Sequence, residues 1–217
     1  MSLFTENFSS ILWNTGILPV VCLKSEEELT TFIEALLPTP VRCIELTIRH
    51  DFSYEAIKYL KKVHPDFIVG AGTVVNSDIL HKVVDLGVDF CVSPGFDEDI
   101  ISEAKRKNIA FIPGCSTPSE FLKARKNNIN TVKFFPAECS GGVDALKLYE
   151  GAFSEMTFLP TGGINLENYI KYISCNNVIA CGGSFMIPKE LLRLNDAEGI
   201  CNTVNGCISA IKEVRKQ

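Results

Sequence analysis

The chain has 217 residues, of which 46% are hydrophobic and 22% charged. That suffices for one domain with a sizeable core and is too apolar for a disordered segment. Lys and Arg number 21 against 26 Asp and Glu, a net charge of -5, and no basic run exceeds Lys105-Arg106-Lys107, which argues against a nucleic-acid partner. No apolar run approaches the roughly 18 residues of a membrane span. Met1–Ser10 has neither the basic nor the apolar stretch of a secretory leader, so the expectation is a cytoplasmic protein with a single domain over 1–217.

Short β-branched apolar runs alternate with amphipathic segments along the whole chain. Residues 3–13 predict an extra N-terminal helix that could close the floor of the fold. The strands expected are Gly16–Leu23, Val41–Thr47, Phe67–Ala71, Asp89–Ser93, Ala110–Pro113, Thr131–Phe135, Met156–Thr161 and Asn177–Cys181. Between them, Ser25-x-x-Glu28 and Thr117-Pro118-x-Glu120 read as capping boxes, and Asn76, Asp97 and Asn165 as N-caps. Asp196–Arg215 predicts a terminal helix. Eight βα repeats of even spacing predict an α/β fold, a (β/α)8 TIM barrel with short loops. A doubly wound open sheet is the competitor, and the absence of G-x-G-x-x-G after the first strand weighs against it.

Nine cysteines stand at 22, 43, 91, 115, 139, 175, 181, 201 and 207, with no C-x-x-C pair. Neither a disulfide framework nor a metal site follows. Cys22, Cys43, Cys91 and Cys181 sit in apolar runs, where a free thiol behaves as a small hydrophobe. An odd count suits a reducing compartment.

Strands covered by helices outside and filled by side chains inside should read as continuously apolar. Two strands break that rule. In the second, Ile44, Leu46 and Ile48 share one face while Cys43, Glu45, Thr47 and Arg49 share the other, so Glu45 and Arg49 point into the barrel or its mouth. In the sixth, Lys133 shares a face with Thr131 and Phe135. A lysine centred in such a strand is seldom buried without a reason. The structural reading is a Glu45–Lys133 ion pair that fills the barrel, or a lysine that snorkels outward. The functional reading is a nucleophile: Schiff-base chemistry needs a neutral amine, which desolvation favours. Glu45 would then move protons, and Arg49 would hold the carboxylate of an α-keto acid.

Thr161-Gly162-Gly163 ends the seventh run and Gly182-Gly183-Ser184 the eighth. Loops at those two positions form the common phosphate site of such barrels, although a lone Gly-Gly is more often a tight turn. Gly70-Ala71-Gly72-Thr73 is a further permissive loop at the same mouth, from which Thr73 could donate to a substrate carboxylate. His64 and His81 read as solvated residues on polar helix segments. His50 lies beside Arg49, and Trp13 reads as a core anchor of the first helix.

In order along the chain, Ile44-Glu45-Leu46-Thr47-Ile48-Arg49, Val69-Gly70-Ala71-Gly72-Thr73-Val74, Ser93-Pro94-Gly95, Ile112-Pro113-Gly114-Cys115-Ser116-Thr117, Lys133-Phe134-Phe135-Pro136-Ala137-Glu138, Pro160-Thr161-Gly162-Gly163-Ile164 and Gly182-Gly183-Ser184 resemble the 2-keto-3-deoxy-6-phosphogluconate (KDPG) aldolase family, which also handles 4-hydroxy-2-oxoglutarate (KHG). The resemblance runs from about Gly16 to Pro188. It implies a class I (Schiff-base) lyase on a (β/α)8 barrel, with no cofactor and no metal, assembled as a homotrimer and acting on a phosphorylated keto acid. By resemblance Lys133 is the Schiff-base lysine, Glu45 the proton shuttle and Arg49 the ligand of the pyruvyl carboxylate. Thr73 and Thr161 match further pyruvyl contacts, Pro94 and Phe135 line the pocket, and Gly162, Gly163 and Ser184 match phosphate-binding positions.

Three departures bear on substrate preference. His50 replaces a threonine that commonly follows the arginine, Pro38-Thr39-Pro40 replaces a Gly-Gly turn, and Gly16–Val20 lacks an arginine that some relatives carry. Alternatives left open are the galactonate-derived epimer aldolase, a phosphate-binding isomerase or decarboxylase that uses Lys133 only electrostatically, and a non-enzymatic binder of phosphorylated sugar acids.

Overall fold

The computed structural model describes residues 6–216. Helix α1 (Glu6–Thr15) precedes nine strands: β1 (Ile17–Val21), β2 (Cys43–Thr47), β3 (Ile68–Gly72), β4 (Phe90–Val92), β5 (Ala110–Ile112), β6 (Gly114–Cys115), β7 (Thr131–Phe134), β8 (Thr157–Pro160) and β9 (Cys181–Gly183). Helices α2 (Glu26–Leu36), α3 (Phe52–Val63), α4 (Ser77–Asp85), α5 (Glu98–Arg106), α6 (Pro118–Lys126), α7 (Gly142–Ala152) and α8 (Tyr169–Ile173) fill the crossovers, and α9 (Lys189–Arg193) and α10 (Ala197–Arg215) follow. Residues 3–5 of the expected N-terminal helix lie outside the described part.

Every strand pair is parallel. The order β5-β4-β3-β2-β1-β9 forms one sheet and β6-β7-β8 another. Bridges from Phe158 to Val178 and from Thr161 to Gly182 join β8 to the β9 side, so the sheet curls on itself. The result is an α/β, TIM-barrel-like fold. The fifth expected run is two strands because Pro113 has no N–H for the ladder. The eighth is shifted: the ladder to β1 begins only at Cys181 and runs through Gly182 and Gly183. The apolar stretch before it is irregular, because the Arg215 guanidinium takes the carbonyls of Val178 and Ile179 and Asn177 donates to Leu146.

Alternation sorts the side chains into two clusters. Ile44 and Leu46 face outward to the helices, with Val69, Ala71, Val132 and Phe134 in the same layer. Inside, Leu18, Cys43, Phe90, Val92, Ile112 and Leu159 pack together, and Phe8 and Leu12 of α1 join them. Positions 8 and 12 share one helix face, which turns Trp13 outward. Trp13 is 46% exposed, with the Arg215 guanidinium 3.8 Å over its ring, and is therefore not a core anchor.

Local signals act as expected at most helix starts. Thr117 and Glu120 form a reciprocal capping box, and Asn76, Asp97 and Asp196 accept first-turn N–H bonds. Glu28 instead accepts from Lys24 N–H, so the Ser25 box is only half formed. Asn165 caps a turn rather than α8, whose N-cap is Asn168. His64 caps α3 half-buried between Tyr59 and Phe67, and His81 pairs with Glu103 at 3.0 Å, so neither is simply solvated. The cysteines are free, and burial raises the thiols of Cys43, Cys91, Cys115 and Cys181.

Candidate active site

Glu45 and Lys133 meet inside the sheet from opposite walls. Lys133 Nζ donates to Glu45 Oε1 at 3.2 Å, with Glu45 fully buried and Lys133 6% exposed. The other carboxylate oxygen, Oε2, is buried without a partner. A buried charged oxygen left unsatisfied costs several times an ordinary net hydrogen bond. It is therefore a free acceptor held beside the amine.

Strand β3 makes room for this pair with two glycines, Gly70 and Gly72, on its inner face. A Cβ at Gly72 would lie 2.1 Å from Glu45 Oε1, and one at Gly70 would lie 2.2 Å from the Phe90 ring. Glu45 thus lies directly against Gly72, and the Phe90 ring against Gly70. On the far side, Gly114 is the register partner of Lys133 and packs against the Pro94 carbonyl, while its N–H donates to Gly95. Pro94 is thereby fixed next to the lysine strand. The half-buried Phe135 ring has its centroid 5.4 Å from Lys133 Nζ.

Arg49 and Thr73 form a second group at the ends of β2 and β3. Arg49 Nε donates to Thr73 Oγ1 at 3.3 Å, and the exposed guanidinium has no other partner among the described residues. Neither residue has a polar contact with Lys133 or Glu45. Thr73 has φ 64°, a conformation that costs a β-branched residue about 1–3 kcal/mol. His50 is exposed, and the Phe52 N–H donates to its Nδ1 at 3.3 Å, which ties the ring to the start of α3, whose N-cap is Asp51.

The third group is the pair of glycine segments, brought side by side by the Thr161–Gly182 bridge. Thr161 is buried, and a Cβ at Gly182 would lie 2.5 Å from its hydroxyl. Gly162 and Gly163 have φ 92° and 83°, which favours glycine at both positions. The carbonyl of Thr161 accepts from Ala137 N–H at 2.8 Å, that of Gly162 from Glu138 N–H at 3.2 Å, and that of Gly163 from Asn168 Nδ2 at 3.1 Å. A trans peptide points its C=O and N–H in opposite directions. The N–H groups of Gly163 and Ile164 are thus turned away from the segments that hold the carbonyls and have no partner among the described residues, whereas that of Gly162 faces the Gly182 carbonyl across the bridge. Ser184 is exposed at the neighbouring strand end. The sequence signalled these glycines but not Gly72 as the seat of Glu45, nor Asn168 and Glu138 as supports of the loop.

A buried amine–carboxylate pair inside a curled parallel sheet defines an aldolase-type lyase once the chain is set against known proteins. The family model described as KDPG and KHG aldolase matches residues 8–203. The KHG/KDPG aldolase of Escherichia coli K12 is 37% identical over 203 residues, 94% of this chain and 95% of that one. The 2-dehydro-3-deoxy-phosphogluconate aldolase of Dickeya dadantii is 39% identical over 88% and 89%. The KDPG aldolase of Legionella pneumophila, solved with pyruvate captured at low pH as a covalent carbinolamine intermediate, superimposes with a TM-score of 0.87 at 32% identity, covering 93% and 97%. That of Zymomonas mobilis, solved with 3-phosphoglycerate, gives 0.84 at 31%, covering 91% and 93%. The chain belongs to the KDPG and KHG aldolase family and is a class I aldolase. Among the described residues no helix is long and apolar enough to cross a membrane.

Proposed function

We propose that the chain reversibly cleaves KDPG to pyruvate and glyceraldehyde 3-phosphate, and KHG to pyruvate and glyoxylate, with Lys133 as the Schiff-base lysine. The observation that carries this reading is the Lys133–Glu45 contact with Glu45 Oε2 left free. Lys133 Nζ attacks the C2 ketone, and Glu45 passes a proton, through water, to the carbinolamine hydroxyl, which leaves as water. The protonated imine is an electron sink. Deprotonation of the C4 hydroxyl breaks the C3–C4 bond and releases the aldehyde. The enamine left on Lys133 is protonated at C3, and water hydrolyses the imine to free pyruvate. Arg49, with its terminal nitrogens unengaged, binds the substrate carboxylate bidentately, and Thr73 adds a hydroxyl beside it. Thr161 completes the pyruvyl contacts, while Pro94 and Phe135 wall the pocket.

The Gly162-Gly163 turn, through the N–H groups of Gly163 and Ile164, forms the phosphate cradle with the Ser184 hydroxyl. Binding energy from that remote group supports the chemistry at C2–C4. The curled sheet is read as a (β/α)8 barrel, with β5 and β6 counted as one broken strand and α1 as the floor. By family membership the working form is a cytoplasmic homotrimer of single-domain subunits over 1–217.

Intact-protein mass spectrometry after incubation with pyruvate and borohydride tests the mechanism. One reduced pyruvyl adduct that maps to Lys133, and none on Lys133→Ala, is the expected result. An adduct elsewhere, or none on folded wild type, would overturn the assignment.

A further inference from the structure

The phosphate cradle works only if its N–H groups keep their direction, and that direction is set by side chains outside it. Asn168 holds the Gly163 carbonyl through Nδ2. Its own amide is oriented by Asn165, whose N–H donates to Asn168 Oδ1 at 2.8 Å and whose Oδ1 accepts from Asn168 N–H at 3.1 Å. Glu138 gives its backbone N–H to the Gly162 carbonyl, and its side-chain stem lies against Gly163, where an added Cβ would come within 2.5 Å of Cγ. The Glu138 carboxylate accepts in turn from the hydroxyl of Tyr172, which is fully buried. Burial first, and Glu138 second, push the Tyr172 phenol well above its ordinary range, so it remains a donor at any working pH. An open surface pocket of about 690 Å³ lies beside the loop, lined by Glu138, Asn168, Lys171 and Tyr172 among others. On that side the loop's Gly162 and Gly163 carbonyls are held by these hydrogen bonds.

We infer that Asn168 and the Glu138–Tyr172 pair are positioning residues that fix the anion cradle and so set the preference for phosphorylated over unphosphorylated substrate. This deepens the phosphate reading above and rests on it. None of the three touches the reacting carbons. Their loss should leave imine chemistry intact and misdirect only the N–H groups that meet the distal phosphate.

Steady-state kinetics on KDPG and KHG test this with Asn168→Ala and Tyr172→Phe; the second keeps the ring packed. Each lost hydrogen bond should raise KM for KDPG about tenfold. KM for KHG and both kcat values should stay within about twofold, and inhibition by inorganic phosphate should weaken in step. Unchanged KM for KDPG in both variants, or an equal loss on both substrates, would overturn the inference. Wild type and Ser184→Ala serve as the reference arm. If inorganic phosphate does not inhibit wild type and Ser184→Ala does not discriminate between the substrates, the phosphate reading itself fails, a result distinct from failure of the positioning role.

Discussion

Gly72→Ala adds one methyl group at the place where the structure has least room. The new Cβ would lie 2.1 Å from Glu45 Oε1 and 2.8 Å from Cδ, whereas ordinary contact begins at 3.4 Å. Glu45 is fully buried and cannot swing into solvent, so the carboxylate or the β3 backbone must give by about 1.3 Å. Overpacking of this kind costs about 1–3 kcal/mol of stability. A displacement of about 1 Å in a catalytic group costs on the order of 10²-fold in rate, or about 2.7 kcal/mol of barrier. The expected outcome is a folded enzyme whose kcat falls about a hundredfold, with substrate KM little changed. Pyruvate release coupled to lactate dehydrogenase measures the rate, and thermal melting by circular dichroism measures the fold. Gly206→Ala is the control: nothing lies within 4 Å of its Cβ, and alanine in the middle of α10 should stabilise by about 0.5–1 kcal/mol without altering kcat. Wild-type kcat in folded Gly72→Ala would refute the placement of the Glu45 carboxylate over β3.

Glu45→Gln keeps the shape and removes the proton-carrying group, so turnover should fall by about 10²–10⁴. The mutant should also dehydrate the carbinolamine more slowly, which rapid-quench borohydride trapping would detect; a normal trapping rate with slow turnover would confine Glu45 to later steps. Alkaline stability follows from the thiols. Burial pushes Cys91 and Cys115 up to about 12 from an ordinary 9.0, so in the unfolded chain they lose protons first. Their contribution to stability is complete below pH 9 and is lost as pH rises toward 12. Urea midpoints should decline over that window, less steeply in Cys91→Ala than in wild type, and a slope identical in the two would contradict the burial assigned to Cys91.

What the sequence revealed and concealed follows from the range of the forces involved. Glu45 and Lys133 stood out because alternation on a parallel strand is a local rule, and a charge on the inner face breaks it visibly. The Thr117 capping box was legible for the same reason, since its partners are three residues apart. Trp13 was misplaced because its composition suits a core. Only the direction of α1, set by Phe8 and Leu12 entering the inner cluster, turns it outward onto Arg215. The eighth strand was shifted because the Val178 and Ile179 carbonyls are claimed by a guanidinium 36 or more positions later in the chain. Gly72, Asn168, Glu138 and Tyr172 were silent in function because their roles lie in contacts made by other strands and helices.

The same contacts weigh the proposed chemistry against the simpler view that Glu45 and Lys133 are a filler pair. An ion pair kept for stability needs its remaining lone pairs and protons satisfied, because desolvation of two charges costs several kcal/mol each and well-packed apolar residues of similar volume do as well or better. Here Lys133 makes one hydrogen bond, Glu45 Oε2 makes none, and β3 has given up two inner side chains to seat the carboxylate and the Phe90 ring. Nearby, Thr73 holds a left-handed backbone at which a glycine would be relaxed. An orphan acceptor, an under-bonded amine and a strained threonine that binds the only arginine of β2's mouth are each unfavourable for folding alone. They cohere if a carboxylate, a ketone and a hydroxyl arrive to fill them, since a substrate then supplies the bonds that the fold leaves unmade.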